Sequence, residues 1–447
     1  MHARRSRPDR RPRADGYRIG AASLSAVLPG LGQLANRRTK LAATFAIPAV
    51  LLVGLVWLAF QLASPAQLAA TVINPTVLSI MLVLNGLVLA WRAAAVAQAF
   101  FDRPATARPS GRAVLGLGVL LVVVAAPHLW ALQVGLAARD SFSRIFAGDS
   151  GEVGGDVGAP RPASGERLNI LLIGIDKTPR RNATLTDTLI VVSIDRVGRT
   201  VSMVSIPRDL VGVPLGNGDT YGPKLNSLMT YADAHPKEFP GGGVHALEAA
   251  VGALLDVPIH YHATIDFRGF VRIVDRLGGV DVNVAKGFED PTYGYGGRRG
   301  FAITPGRHHL DGLDALAYVR ARKAPGESDF TRAARQQEVI LALRDQATRD
   351  GSLLWRLPGL FDDLGDTVRS DLPVEELPGL AVLADEIDRA AVVRVVVRFP
   401  LVKGGRNRYG SVQFPDIAAI RAMAAGVFTA PGTPPSPWPS PRPTPAP

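Results

Sequence analysis

The chain has 447 residues, a formal net charge of +11 and no cysteine. The missing thiols exclude a disulfide framework, a thiolate nucleophile and a thiolate metal site. Much of the positive excess lies in Arg4, Arg5, Arg7, Arg10, Arg11 and Arg13, ahead of apolar segments, which argues for a membrane-facing basic tail and against a nucleic-acid surface.

Residues 20–36 are short, apolar and rich in Gly and Pro, and read as interfacial or re-entrant. Residues 41–63, 72–91 and 113–137 are three apolar runs without Asp, Glu, Lys or Arg, each long enough to cross a bilayer. Arginine distribution orients them: the tail and the loop with Arg103, Arg108 and Arg112 fall inside, and the uncharged connection 64–71 falls outside. Everything beyond residue 137 is then extracytoplasmic. A cleaved signal peptide is the wrong description, because the first apolar run starts late and more follow. The domains are therefore a basic tail and interfacial segment (1–40), three transmembrane helices (41–137), a linker (138–166), a soluble domain (167–428) and a Pro-rich tail (429–447) too poor in apolar residues to fold.

The soluble domain opens with three strands, near 169–173, 188–194 and 200–206, the last two joined by the turn Asp195-Arg196-Val197-Gly198. If the first two pair antiparallel, Asp176 and Asp187 emerge at one sheet edge. The hairpin then brings Arg208 to the same edge. Two carboxylates and a guanidinium there suit a divalent metal and a phosphate. Lys224 follows a Gly-rich loop and is an accessory cation. The run Gly241-Gly242-Gly243 precedes a helix at 244–255 and reads as a plain loop or a phosphate seat. A strand at 259–267, a helix at 269–277 and a strand at 280–284 follow. His260 with His262, and His308 with His309, lack a zinc-site spacing.

Helices come next at 310–321 and 330–347, then two short helical patterns within 352–383 and a β-branched strand at 392–399. On the second helix Arg332, Gln336, Val339, Ile340 and Leu343 share one face. That stripe turns polar at its start, as beside a pocket. Arg332 also lies in the first turn, where the helix dipole disfavours a cation by about 0.3–1 kcal/mol, so a bound anion there would offset the cost. Arg320 and Arg322 precede it, Arg335 flanks it, and Asp329 reads as the N-cap. Strands and helices intermix, giving an α/β class with a mixed β-sheet surrounded by helices. No GxSxG, Walker A or GxGxxG pattern occurs in the chain.

Gly174-Ile175-Asp176, Thr186-Asp187-Thr188, the SIPRD run 205–209, Lys224-Leu225-Asn226, the LGGVDV run 277–282, the run GRHHLDGLDALAYVRAR at 306–322 and SDFTRAARQQ at 328–337 follow one another. In that order they closely resemble the LytR-CpsA-Psr (LCP) family. The resemblance implies a mixed sheet covered by helices, with a hydrophobic cavity for a polyprenyl chain. It implies an enzyme on the outer face of the plasma membrane. Its activity would move a glycopolymer from a polyprenyl-pyrophosphate carrier to peptidoglycan, with membrane lipid as a further partner and no nucleic acid.

By motif, Asp176 and Asp187 resemble the carboxylates associated with Mg²⁺ (or Mn²⁺) and acceptor activation. Arg208, Arg320, Arg322, Arg332 and Gln336 resemble the pyrophosphate-binding set. Many members carry an arginine where this chain has Leu185, and Arg180 or Arg181 would substitute for it. Three spans exceed the single span common in the family. A polyprenyl-pyrophosphate hydrolase and a non-catalytic lipid-carrier-binding regulator are the alternatives. DNA binding fits neither the outside topology nor the lack of a helix-turn-helix.

Overall fold

The computed structural model describes residues 11–102, 108–146, 162–163, 165–176, 185–349 and 363–435. Two compact units divide at residue 139. The first contains helices α1 (Arg11–Val27), α2 (Leu31–Ala35), α3 (Thr39–Leu62), α4 (Pro65–Ile73), α5 (Pro75–Phe101) and most of α6 (Gly111–Ile145). Of these, α3, α5 and α6 are long and apolar enough to cross a membrane.

The segment 20–36 does not run straight: α1 turns back at Gly30 (φ 103°) into α2. Gly32 permits this hairpin, since a Cβ there would lie 2.1 Å from the Ala21 carbonyl oxygen. Several polar groups inside the apolar unit are paired with one another or with backbone carbonyls. Gln33 Nε2 donates to Ala95 O at 2.8 Å and Arg92 to Ala26 O at 2.9 Å. The connection 64–71 is not a loop as expected but the start of α4. Ser64 and Gln67 form a reciprocal capping box, at 3.2 and 2.9 Å, that starts a helix in a stretch without charge.

The second unit is built on β1 (Leu168–Asp176), β2 (Leu185–Asp195) and β3 (Thr200–Ser205). The turn forms as read: Val197 and Gly198 donate their N–H groups to Asp195 Oδ1 at 2.9 and 2.8 Å. The short ribbon β4 (Val213–Pro214) with β5 (Thr220–Tyr221), then α7 (Leu228–Ala234), α8 (Gly242–Leu255), β6 (Tyr261–Asp266), α9 (Phe267–Leu277) and β7 (Val280–Val284) follow. The chain continues through β8 (Phe288–Tyr295), β9 (Arg298–Ile303), β10 (Gly306–Leu310), α10 (Gly312–Arg320), α11 (Asp329–Arg349) and β11 (Val368–Ser370). It closes with α12 (Leu377–Glu386), β12 (Val392–Val396), β13 (Val402–Asn407), β14 (Gly410–Pro415) and α13 (Ile417–Val427).

The main sheet has six strands in the order β11-β6-β1-β2-β3-β12. Strand β1 is antiparallel to β2 and parallel to β6, so the sheet is mixed. Its central strand buries Leu171 and Ile173 completely, against Leu247, Leu254 and Met423 of α8 and α13. The expected single sheet is incomplete: β7 pairs with β10, and β8 with β9, as separate ribbons. The Gly- and Arg-rich sequence of β8 and β9 carries few β-branched residues, so it gives no strand signal.

Candidate active site

A cavity of about 890 Å³ opens on the face of the sheet opposite α8. Its walls are apolar, with Leu172 and Ile190 from the sheet and Phe270, Leu316, Ile340 and Leu343 from α9, α10 and α11. Its mouth is charged. Asp176 ends β1, and Asp187 lies near the start of β2, where the pairing shifts from Gly174↔Thr188 to Ile175↔Thr186. Asp187 is therefore the extra residue of a β-bulge, a device that re-aims one side chain and disturbs few others. Gly174 admits the close approach, since a Cβ there would lie 2.8 Å from Thr188 Cβ. Both carboxylates line the cavity, and so does Leu185.

The guanidinium groups arrive from three elements. Arg208, beyond β3, is ion-paired with Asp187. Arg320, the last residue of α10, lies 3.6 Å from Asp176, with its guanidinium carbon 3.9 Å from the Phe267 ring centroid. Phe267 reaches that position because Asp266 caps α9, accepting from Gly269 N at 2.8 Å. Arg322 is held by Asp290, which is buried and accepts from the N–H groups of Arg322 and Lys323 at 3.0 Å each. Arg332, in the first turn of α11, is 6% exposed.

Asp329 ties these groups together. Its Oδ1 lies 3.0 Å from Arg332, 3.2 Å from Arg322 and 3.9 Å from Arg208. It is not the N-cap, a role that falls to Ser328, whose Oγ accepts from Thr331 N at 3.2 Å. The carboxylate is drawn to the three guanidiniums instead. Burial would raise its pKa, but Arg332, Arg208 and Arg322 outweigh burial and hold it below the usual carboxylate range. Burial first, and then the like charge of Arg208, push Arg332 down to about 10. Buried Nε atoms of both Arg208 and Arg332 have no hydrogen-bond partner. Two buried cations are thus held side by side, each with an unused donor, an arrangement whose charge an anion would offset.

Gln336 and Lys224 also line the cavity, Lys224 paired with Asp209 at 2.9 Å. The predicted stripe on α11 is present, with Val339 turned into the neighbouring core. Arg335 does not reach the cavity. It is buried, donates through Nε to Tyr318 O at 2.8 Å, pairs with Glu327 and packs over Phe288. Two carbonyls and a carboxylate consume its charge, so it braces the turn between α10 and α11. Arg180 and Arg181 lie outside the described residues. Sequence reasoning missed the hub role of Asp329, and also Asp290 and Phe267, whose roles depend on contacts across distant segments.

Asp176 and Asp187 suit Mg²⁺ or Mn²⁺ chemically. Such an ion takes hard oxygen donors, commonly one or two carboxylates completed by substrate phosphates, and this mouth offers two carboxylates beside a cluster of arginines. The other histidine-bearing clusters lie elsewhere. His262 Nδ1 sits 3.0 Å from Glu248 Oε1 and 3.2 Å from Asp371 Oδ1, on the α8 side of the sheet. Burial pulls its pKa down, but Asp371 and Glu248 outweigh burial and push it up to about 9, so a proton satisfies both carboxylates. His260 accepts from Asn169 N at 3.0 Å. The glycine run is neither a plain loop nor an open phosphate seat: Gly242 and Gly243 open α8, and Gly243 N donates to Asp233 at 2.6 Å.

A model of the LytR_cpsA_psr family matches residues 149–418. The polyisoprenyl-teichoic acid–peptidoglycan teichoic acid transferase TagU of Halalkalibacterium halodurans is 30% identical over 228 residues, covering 51% of this chain and 66% of that protein. The transferase of the same description named TagV, from Bacillus subtilis, is 30% identical over 263 residues, 59% of this chain and 63% of its own length. The chain thus spans slightly less than two thirds of each relative. The crystal structure of B. subtilis TagV superposes with a TM-score of 0.46 at 25% identity, over 58% of this chain and 96% of that one.

Proposed function

Because the chain belongs to the LytR-CpsA-Psr family, we propose that it is a membrane-anchored phosphotransferase that moves a glycopolymer from a polyprenyl-pyrophosphate carrier to peptidoglycan. One observation carries the reading: a single cavity joins an apolar interior to a mouth where the buried Nε atoms of Arg208 and Arg332 lack partners. A lipid chain ending in a pyrophosphate has that same division. The candidate spans α3, α5 and α6 supply the anchor, with the basic tail inside and the second unit outside.

In the reaction an acceptor hydroxyl attacks the phosphorus that bears the glycan. The bond from that phosphorus to the bridging oxygen breaks, polyprenyl phosphate leaves, and a phosphodiester joins glycan to acceptor. Asp176 or Asp187 takes the hydroxyl proton, suiting a substrate nucleophile better than any side-chain nucleophile. Arg208, Arg320, Arg322 and Arg332 stabilise charge that gathers on the leaving phosphate, the largest lever open to such a site. Asp176 and Asp187 would hold Mg²⁺, which when bound neutralises phosphate charge. Incubating the full chain with a lipid-linked oligosaccharide and peptidoglycan fragments, then recording mass spectra, tests the reading. A conjugate supports it. Free phosphorylated glycan would indicate a hydrolase, and unchanged donor a binding protein.

A further inference from the structure

The ribbon β13–β14 has a composition unlike the rest of the unit. Residues 397–415 contain Arg398, Lys403, Arg406 and Arg408 and no acidic residue. All four cations are exposed. Phe399, in the turn before β13, is 71% exposed and Phe414, on β14, 44% exposed, unusual for large rings facing water. The ribbon also sits beside the cavity mouth: Ser411, which lines the cavity, pairs with Arg406. Gln413 N donates to Asp209 O at 2.9 Å, next to Arg208.

We infer that this ribbon and the turn before it form a docking surface for a bilayer containing anionic lipids, with Phe399 and Phe414 entering the interface and the cations around them meeting headgroup phosphates. Exposed rings flanked by unopposed cations are the composition of interfacial membrane anchors. A hydrated polyanionic glycan would match the charge, but it would give the two phenylalanines nothing apolar to enter. Three candidate spans keep the chain at a bilayer, so the lipid surface is always at hand. The inference does not depend on the transfer reaction, because charge and exposure stand whatever the cavity holds.

The absence of cysteine makes the test direct. Phe399→Cys in the full chain, labelled with an environment-sensitive fluorophore, is placed in nanodiscs of phosphatidylcholine alone or with phosphatidylglycerol. The label should brighten roughly twofold and shift to the blue with phosphatidylglycerol. A label at Val197→Cys, in the turn at the opposite end of β2, should not respond. Near an anionic surface each cation is worth about a fivefold factor, so Arg398→Gln, Lys403→Gln, Arg406→Gln and Arg408→Gln together should abolish the response. Circular dichroism would verify that this variant remains folded. A label at 399 that stays water-like in both discs overturns the inference. So does a response in neutral discs only when a soluble polyanion is added, because that would assign the ribbon to glycan binding.

Discussion

Asp329 and Arg332, one helical turn apart on α11, meet at 3.0 Å, and the same carboxylate oxygen faces Arg322 and Arg208. One anion therefore holds three cations at the mouth of an apolar cavity. Together with Asp187, which pairs with Arg208, it supplies the counter-charge that makes their proximity tolerable.

Asp329→Ala should destabilise the fold by about 2 kcal/mol, since it leaves buried like charges facing one another. Inorganic pyrophosphate should raise the melting temperature of this variant more than that of the parent, by replacing the lost counter-charge. Calorimetric melting with and without pyrophosphate measures both effects. An unchanged melting temperature would remove Asp329 from the hub.

Arg332 and Arg335 should behave in opposite ways. Arg332→Ala removes a disfavoured buried cation, so stability holds or rises while prenyl-pyrophosphate affinity falls at least tenfold, about 1.5–3 kcal/mol for a charged hydrogen bond. Arg335→Ala leaves Glu327 and two carbonyls without a donor. It should cost about 3 kcal/mol of stability while affinity measured on the folded fraction changes little. Titration calorimetry and thermal melts on both variants separate the roles.

Asp176→Ala and Asp187→Ala should each abolish transfer, and combining them should add little, because both serve one step. EDTA should stop transfer and added Mg²⁺ or Mn²⁺ should restore it. Transfer that persists in EDTA would discard the metal assignment.

Stability should also depend on pH through His262. Its folded pKa of about 9 lies above the ordinary 6.5. The stabilisation is therefore complete below about pH 6.5 and disappears as pH rises through 9, a loss of about 3 kcal/mol. His262→Asn should flatten the melting profile over that window. An equal loss in parent and variant would assign the alkaline sensitivity elsewhere.

Leu185, where the family resemblance implies an arginine, lines the cavity with Asp187. If the adjacent pair Arg180 and Arg181 supplies the missing charge, alanine at both should weaken donor binding and Leu185→Arg should change little. Retained affinity in the double variant, with tighter binding in Leu185→Arg by about 1 kcal/mol or more, would mean that nothing replaces it.

Much of this was legible in the chain because it is local. The β-branched runs and the turn at Asp195 specify β1 to β3, and their order alone delivers Asp176, Asp187 and Arg208 to one edge. Periodicity on α11 places Arg332, Gln336, Ile340 and Leu343 together. What failed to show depends on partners distant in sequence. Nothing near Arg335 signals that carbonyls of Tyr318 and Ala321 will take its donors. Helix-start chemistry made Asp329 look like a cap because the pull of Arg208 and Arg322 is a tertiary effect. The ribbon β8–β9 and the helix α4 lack strong patterns, and both depend on packing or capping contacts.

The most direct measurement follows the phosphate. The full chain, a lipid-linked donor and peptidoglycan fragments are combined in ¹⁸O-enriched water, and the products are weighed by mass spectrometry. The expected result is a glycan–peptidoglycan phosphodiester free of ¹⁸O, with one polyprenyl monophosphate released per conjugate. Free glycan phosphate carrying ¹⁸O, with no conjugate, would contradict it.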